Sequence, residues 1–146
     1  MTFEEIHDKI LAGGQSESIA EATECGRMLT TYGGKSQQMF AVVLHESKSM
    51  FDGNESKWAS WATAEFHLKS ANNTHHIRQT GEILCQLRDV EFAMFQRFLS
   101  TRMSKLAELY EIYLAKGING LINLVNLTFP DDSIEREDLR KAKAAL

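Results

Sequence analysis

Five histidines are the side chains in this chain that could bind a metal ion or exchange protons near neutral pH. They are His7, His45, His67, His75 and His76. Glu4-x-x-His7 has the i, i+3 spacing of di-iron bundles, but that chemistry needs two such motifs and the sequence contains one. His75 and His76 are consecutive, so they point about 100° apart on a helix and are poorly placed to share an ion. We therefore expect no metal site and exposed, polar histidines.

Nucleophilic and cofactor chemistry has no recognisable motif in this sequence. It contains no H-E-x-x-H, no G-x-S-x-G and no glycine-rich phosphate or dinucleotide loop. Cys25 and Cys85 each fall within an apolar helical stripe, where a buried thiol is expected rather than a nucleophile. We therefore predict that the protein is not an enzyme and takes no cofactor.

The composition predicts one folded domain over residues 1–146. The chain is 43% hydrophobic and 25% charged, values typical of globular proteins. Sixteen lysines and arginines against twenty acidic residues give a net charge of −4, which excludes a protein that coats nucleic acid through bulk positive charge. No apolar run approaches the ~20 residues of a membrane span, no secretory leader is recognisable, and the cysteines form no CxxC pair. These features predict a cytoplasmic protein without membrane contact.

Hydrophobic periodicity is helical along nearly the whole chain, which predicts an all-α fold, a compact bundle of about six to eight helices. Capping boxes at Thr2-x-x-Glu5 and Ser18-x-x-Glu21 begin the first two helices, and glycine pairs at 13–14 and 33–34 follow them. A third helix is predicted from about 36 to 51. We divide the domain into N-terminal helices (1–53), a central helix pair (54–88) and C-terminal helices (89–146).

The C-terminal helices carry the predicted surface of a homodimer. An apolar stripe from Phe92 to Tyr113 predicts one long helix that ends near Gly117. A second apolar face follows at 118–125, with uncharged asparagines opposite it; Pro130 should end that segment, and Ser133 should cap a last helix. An uncharged exterior loses its water at modest cost, so this half favours self-association. The alternative is a helix packed within its own domain.

The central pair has the pattern of a helix-turn-helix. Residues from Lys57 to about His67 place Trp58, Trp61 and Phe66 on one helical face, which would anchor a first helix in the core. Residues 68–70 would form the turn, and Ser70 is a suitable N-cap for a second helix that reaches about Leu84. We predict that this second helix presents a polar outward face to the major groove.

The residues of the outward face suit base edges and phosphates. Asparagine and glutamine pair bidentately with adenine, and arginine with guanine or phosphate. The candidate nucleic-acid-binding residues are Lys69, Ser70, Asn72, His75, His76, Arg78, Gln79 and Arg88. We expect Arg78 at the edge of this face. Four basic against two acidic residues give 57–88 a charge of +2, which leaves −6 for the remainder. Because so few cations are present in one copy, useful affinity for double-stranded DNA would need a dimer or a partner.

The same spacing fits a purely structural helical hairpin. In that interpretation the aromatic residues form a core, and the asparagine, histidine and glutamine side chains form a solvated face without a partner.

A family resemblance rests on several residues of this region. Phe51-Asp52-Gly53-Asn54, then Trp58-x-x-Trp61, Phe66, Ser70 at the start of a helix and Arg78-x-x-Gly81 occur in that order. This order resembles the helix-turn-helix segment of small DNA-binding proteins of phages and plasmids. Ser133-x-x-Arg136-Glu137-Asp138-Leu139-Arg140 is similar to the short helix that follows such segments in plasmid partition-type proteins.

The resemblance covers about half of the chain and implies a DNA-associated regulator of a mobile genetic element, acting as a homodimer. An acidic protein of that origin could instead bind and inhibit a host or defence protein without contacting DNA.

Overall fold

The computed structural model describes residues 2–31, 35–128 and 136–146, and these residues form α-helices joined by turns, which confirms the all-α bundle. The helices are α1 (Phe3–Leu11), α2 (Ile19–Thr31), α3 (Lys35–Ser47), α4 (Glu55–Glu65), α5 (Ala71–Val90), α6 (Phe92–Phe98), α7 (Met103–Thr128) and α8 (Arg136–Ala144). A 3₁₀ turn, Lys48–Phe51, continues the third helix that the sequence predicts.

Side-chain caps begin the helices where the sequence predicts them. The Glu5 amide donates to the Thr2 hydroxyl, and the Glu21 amide donates to the Ser18 hydroxyl over 3.1 Å. Each bond satisfies one of the backbone amides that a helix leaves without an internal partner at its start. The glycine pair after α1 also has its expected role, since Gly13 adopts a φ of 81°.

The bundle is built around two buried helices, α3 and α5. Every residue of α3 from 38 to 44 is buried, because α2 covers one side of this helix and α5 the other. Helix α5 contacts α3, α4, α6 and α7, and one face of it is buried along its length, although Gln86, Asp89 and Val90 near its end are exposed. The first turns of α5 are exposed next to the turn that follows α4, and they determine what the central pair can contact there.

The prediction of one long helix from Phe92 to Tyr113 is wrong, because α6 and α7 are separate helices. The residues between them turn: the Thr101 amide donates to the carbonyl of Phe98, and the Thr101 carbonyl accepts a hydrogen bond from the buried Gln38 side chain of α3. This contact with α3 replaces the next turn of the predicted helix. Phe98 and Leu99 are both buried at the bend, so the apolar pattern continues although the helix does not.

The break predicted near Gly117 is present inside α7, where Gly117 has a φ of 72°. The predicted roles of Pro130 and Ser133 lie outside the described residues. Leu139 of α8 is fully buried, and α8 packs against α7. Within the described ranges, no helix has the length and apolar character needed to cross a membrane.

Candidate nucleic-acid interface

Helix α4 is anchored in the core mainly by one indole. Trp58 is fully buried, and its Nε1 donates to the hydroxyl of Ser47, a buried residue at the end of α3, over 3.1 Å. Trp61 is half-buried and packs between Phe51 and Phe66, with ring centroids 5.1 and 5.4 Å away. The aromatic anchor predicted from the sequence is therefore present and extends to the 3₁₀ turn.

The turn between α4 and α5 is fixed by polar contacts. The Leu68 amide donates to the carbonyl of Thr63, and His67 adopts a left-handed conformation with a φ of 52°. The hydroxyls of Thr63 and Thr74 form a hydrogen bond of 2.8 Å that joins the two helices directly. Ser70 then caps α5 by accepting from the Asn73 amide at 3.1 Å. These bonds set the angle at which α5 leaves the turn.

The first two turns of α5 present the predicted outward side chains. Lys69, Ser70, Asn72 and His76 are exposed, and Gln79 is partly exposed. His75 is also partly covered, because its ring lies 5.4 Å from the ring of Trp58. Six of the eight predicted site residues thus lie at or near the free end of the helix.

Arg78 lies inside the bundle, which corrects the expectation that it borders the outward face. It is 8% exposed, and its Nη1 donates to Glu82 Oε1 over 2.9 Å. The same nitrogen lies 3.4 Å from Nδ1 of His45 in α3. Arg78 follows Thr74 by four residues and precedes Gly81 by three, so it shares the buried stripe of α5. The spacing of these residues in the sequence could therefore have indicated that Arg78 is buried.

Arg88 is likewise placed inside the molecule, far along α5 from the exposed end. Its Nη1 donates to the carbonyl of Ile10 over 3.1 Å, and its guanidinium lies 3.5 Å from the carboxylate of Glu46. Both side chains of this ion pair are more than nine-tenths buried. Neither Arg78 nor Arg88 is therefore available to a phosphate group in this conformation.

The burial of these two arginines changes the electrostatics of the central pair. Within residues 57–88, Arg78 is paired with Glu82, whereas Arg88 and Glu65 are paired with residues outside this segment, Glu46 of α3 and Arg27 of α2. The exposed cations left in this segment are Lys57 and Lys69. Positive potential at the candidate interface therefore comes from two lysines and from the N-terminus of α5.

A row of ionisable groups lies beneath the interface, between α3 and α5. Burial, followed by the neighbouring Arg78, lowers the pKa of His45, and burial raises the pKa of Glu46 despite its partner Arg88. Because an arginine always donates, Nδ1 of His45 accepts from Arg78 and the histidine is neutral with its proton on Nε2. These contacts link α3 to α5 within the bundle.

Neither cysteine is part of a disulfide, and both thiols are poorly accessible. Cys25 is buried, Cys85 is half-buried, and burial raises the pKa of the Cys85 thiol to about 12. Across the described ranges, no three histidine, cysteine or acidic side chains converge as metal ligands would.

Comparison with known proteins adds no relative: no family model, no curated protein and no solved structure matches this chain.

Proposed function

We propose that the protein is a small DNA-associated regulatory protein of a mobile genetic element, phage or plasmid, and that the first two turns of α5 enter the major groove. The supporting observation is the exposed, Ser70-capped start of α5, with Asn72 and His76 pointing away from a fully buried Trp58 anchor. Helix-turn-helix proteins contact base edges with the N-terminal residues of their second helix. Asn72 would pair with adenine, and Lys69 would contact a phosphate.

The affinity of one copy should be low and strongly dependent on salt. Lys57 and Lys69 would neutralise about two phosphates per copy, which corresponds to a slope of about −2 in a plot of log affinity against log salt. A dimer would double that slope. Useful affinity for DNA would therefore need a second copy on an adjacent half-site, or a partner.

The test is fluorescence anisotropy with duplex DNA selected from a random pool, measured at several salt concentrations. Lys69→Ala should reduce the salt slope by about one per copy, whereas Lys116→Ala, an exposed lysine of α7, should leave it unchanged. Asn72→Ala should cost about 1–3 kcal/mol on the selected sequence, and Gln96→Ala, an exposed amide of α6, serves as its control. Absence of binding at low salt, or identical binding by all four variants, contradicts the proposal.

We further propose that the protein is a homodimer and that residues 118–128 form its interface. This segment contains no charged residue, and Leu127 is 84% exposed at its end. Asparagine amides both donate and accept hydrogen bonds, so a face of asparagines and leucines can pair with its own copy about a two-fold axis. Sedimentation analysis should show a dimer that Leu127→Glu converts to a monomer, whereas Leu146→Glu has no effect.

A second candidate function is binding to a host or defence protein, in the cytoplasmic location that two cysteines without a disulfide favour. The observation that favours it is the small number of exposed cations on the central pair, together with exposed Leu114 and Leu127 on α7. A single host protein that co-purifies after nuclease treatment, and is lost with Leu114→Glu, would support this function. Loss of the same protein with Asn72→Ala instead would place the contact on α5.

A further inference from the structure

A groove with one apolar end and one polar end runs beside the turn between α4 and α5. It consists of two adjoining clefts of about 340 and 500 Å³ that share Gln37 of α3 and Met103 of α7. The first cleft reaches Leu68 in the turn, and the second reaches the bend between α6 and α7. Volumes in this range are those of small-molecule sites in proteins.

One end of the groove is apolar. Leu29, Phe40, Leu68 and Ile77 line it, and these side chains come from α2, α3, the turn and α5. Leu68 and Ile77 are half-buried and offer uncovered apolar surface. An alkyl chain placed here would cover that surface and leave water.

The other end is polar and carries a single kind of charge. Ser100, Arg102 and Ser104 line it, and Arg102 is exposed and has no salt bridge to any described residue. Among the described residues that line the two clefts, Arg102 is the one charged side chain, and there is no carboxylate. In a chain with a net charge of −4, this end is suited to an anionic group.

We propose that this groove binds an amphiphilic carboxylate of the medium-chain fatty-acid class. The alkyl chain lies along Leu68 and Ile77, and the carboxylate accepts hydrogen bonds from the Arg102 guanidinium and the neighbouring serine hydroxyls. The planar guanidinium offers paired donors that match the two oxygens of a carboxylate. Met103, with its flexible thioether, adjusts to the chain at the junction of the two clefts.

Occupation of the groove would act on the candidate DNA interface, a consequence that rests on the proposed function. Leu68 contacts the ligand and lies two residues before Ser70, the cap of α5. A ligand that holds Leu68 against Ile77 fixes the turn relative to α5. The protein would then sense a metabolite at the same turn that orients its DNA-binding helix.

The experiment measures ligand binding without DNA, so its outcome does not depend on the proposed function. Octanoate and decanoate, each below its critical micelle concentration, and decanol, below its solubility limit, are titrated into protein labelled with ¹³C at its methionine methyl groups. Decanoate should shift the Met103 methyl signal and leave that of Met50 in place. Each added methylene should tighten binding about four-fold until the apolar end is filled.

Two variants test the assigned contacts. Arg102→Gln should weaken decanoate at least ten-fold and leave decanol unchanged, whereas Arg140→Gln, an exposed arginine of α8, should alter neither. Ile77→Ala should weaken both ligands in proportion. The proposal is overturned if the Met103 methyl signal does not move, if decanoate and decanol bind equally, or if Arg102→Gln binds decanoate as the unaltered protein does.

Discussion

The backbone carbonyl of Ala41 in α3 occupies the position at which a side chain on Gly81 of α5 would begin. A Cβ built on Gly81 overlaps that carbonyl and also meets the Cβ of His45 at 3.0 Å. The two central helices therefore approach each other as closely as backbone allows, and glycine is required at this crossing because neither helix can move without disturbing the core.

Gly81→Ala should destabilise the protein by about 2–3 kcal/mol, even though alanine is the better helix former, because overpacking at a backbone contact exceeds the gain in propensity. Gly14→Ala is the control, since its Cβ meets mainly the flexible side chain of Lys9. Urea denaturation of both variants measures the difference. Equal stability of Gly81→Ala and the unaltered protein would contradict the close crossing.

Removing one member of the buried pair of Arg88 and Glu46 should lower the free energy of unfolding strongly, whereas replacing both members with apolar residues should lower it little. Arg88→Ala leaves an uncompensated carboxylate inside the protein and should cost about 3–5 kcal/mol. The double variant Arg88→Met with Glu46→Leu should recover most of that loss, apart from the bond to the Ile10 carbonyl. Arg27→Ala, which breaks an exposed pair with Glu65, should cost less than about 1 kcal/mol. If the two single variants are equally stable, Arg88 is solvated.

Ser47 should contribute to stability because its hydroxyl accepts the hydrogen bond that a buried indole donates. Ser47→Ala leaves the Nε1 hydrogen of the fully buried Trp58 without an acceptor and should cost about 1–3 kcal/mol. Ser49→Ala removes an exposed hydroxyl two residues later and should change stability by less than about 0.5 kcal/mol. Thermal unfolding followed by tryptophan fluorescence compares them, and similar midpoints for the two variants would refute the role of this bond.

The stability of the fold should fall between about pH 7 and pH 5 because of His45. Its pKa in the folded protein lies below the ordinary 6.5, so the unfolded chain binds the proton more readily over this range and stability decreases as pH falls. The raised pKa of Glu46 acts in the opposite direction, since its contribution is lost as pH rises. His45→Gln should therefore flatten the acid side of the profile.

His76→Gln is the matched control for this pH profile, because His76 is exposed. It should retain the loss of stability on the acid side. Urea midpoints measured at several pH values distinguish the two variants, and a profile of His45→Gln that parallels the unaltered protein would show that His45 takes up its proton freely in the folded state.

The helices were predictable where short-range chemistry determines them. Thr2, Ser18 and Ser70 cap helices through bonds three residues along the chain, so sequence spacing is sufficient to locate those starts. The bend between α6 and α7 depends instead on a bond from Gln38, sixty-three residues away, to the Thr101 carbonyl. No local sequence pattern indicates that contact. The apolar stripe continues through the bend and therefore predicts one unbroken helix.

The candidate site was predictable in its exposed part and not in its arginines. Asn72 and His76 are outward because helical periodicity places them opposite Thr74 and Gly81. A lone arginine on that buried stripe was assigned to the surface by its charge, although Glu82 one turn later could neutralise it inside. The burial of Arg88 could not be predicted, because the sequence alone does not show which carboxylate on α3 faces it.

If α5 enters the major groove as proposed, the length of its exposed first turns restricts how much DNA sequence one copy could specify. Residues 71–77 rise about 1.5 Å each, so the free end of the helix is about 10 Å long and spans about three base pairs. A triplet recurs by chance about once in 64 positions. A binding site that is unique within a genome would therefore have to consist of repeated triplets, and the spacing between the repeats would contribute as much to specificity as their sequence.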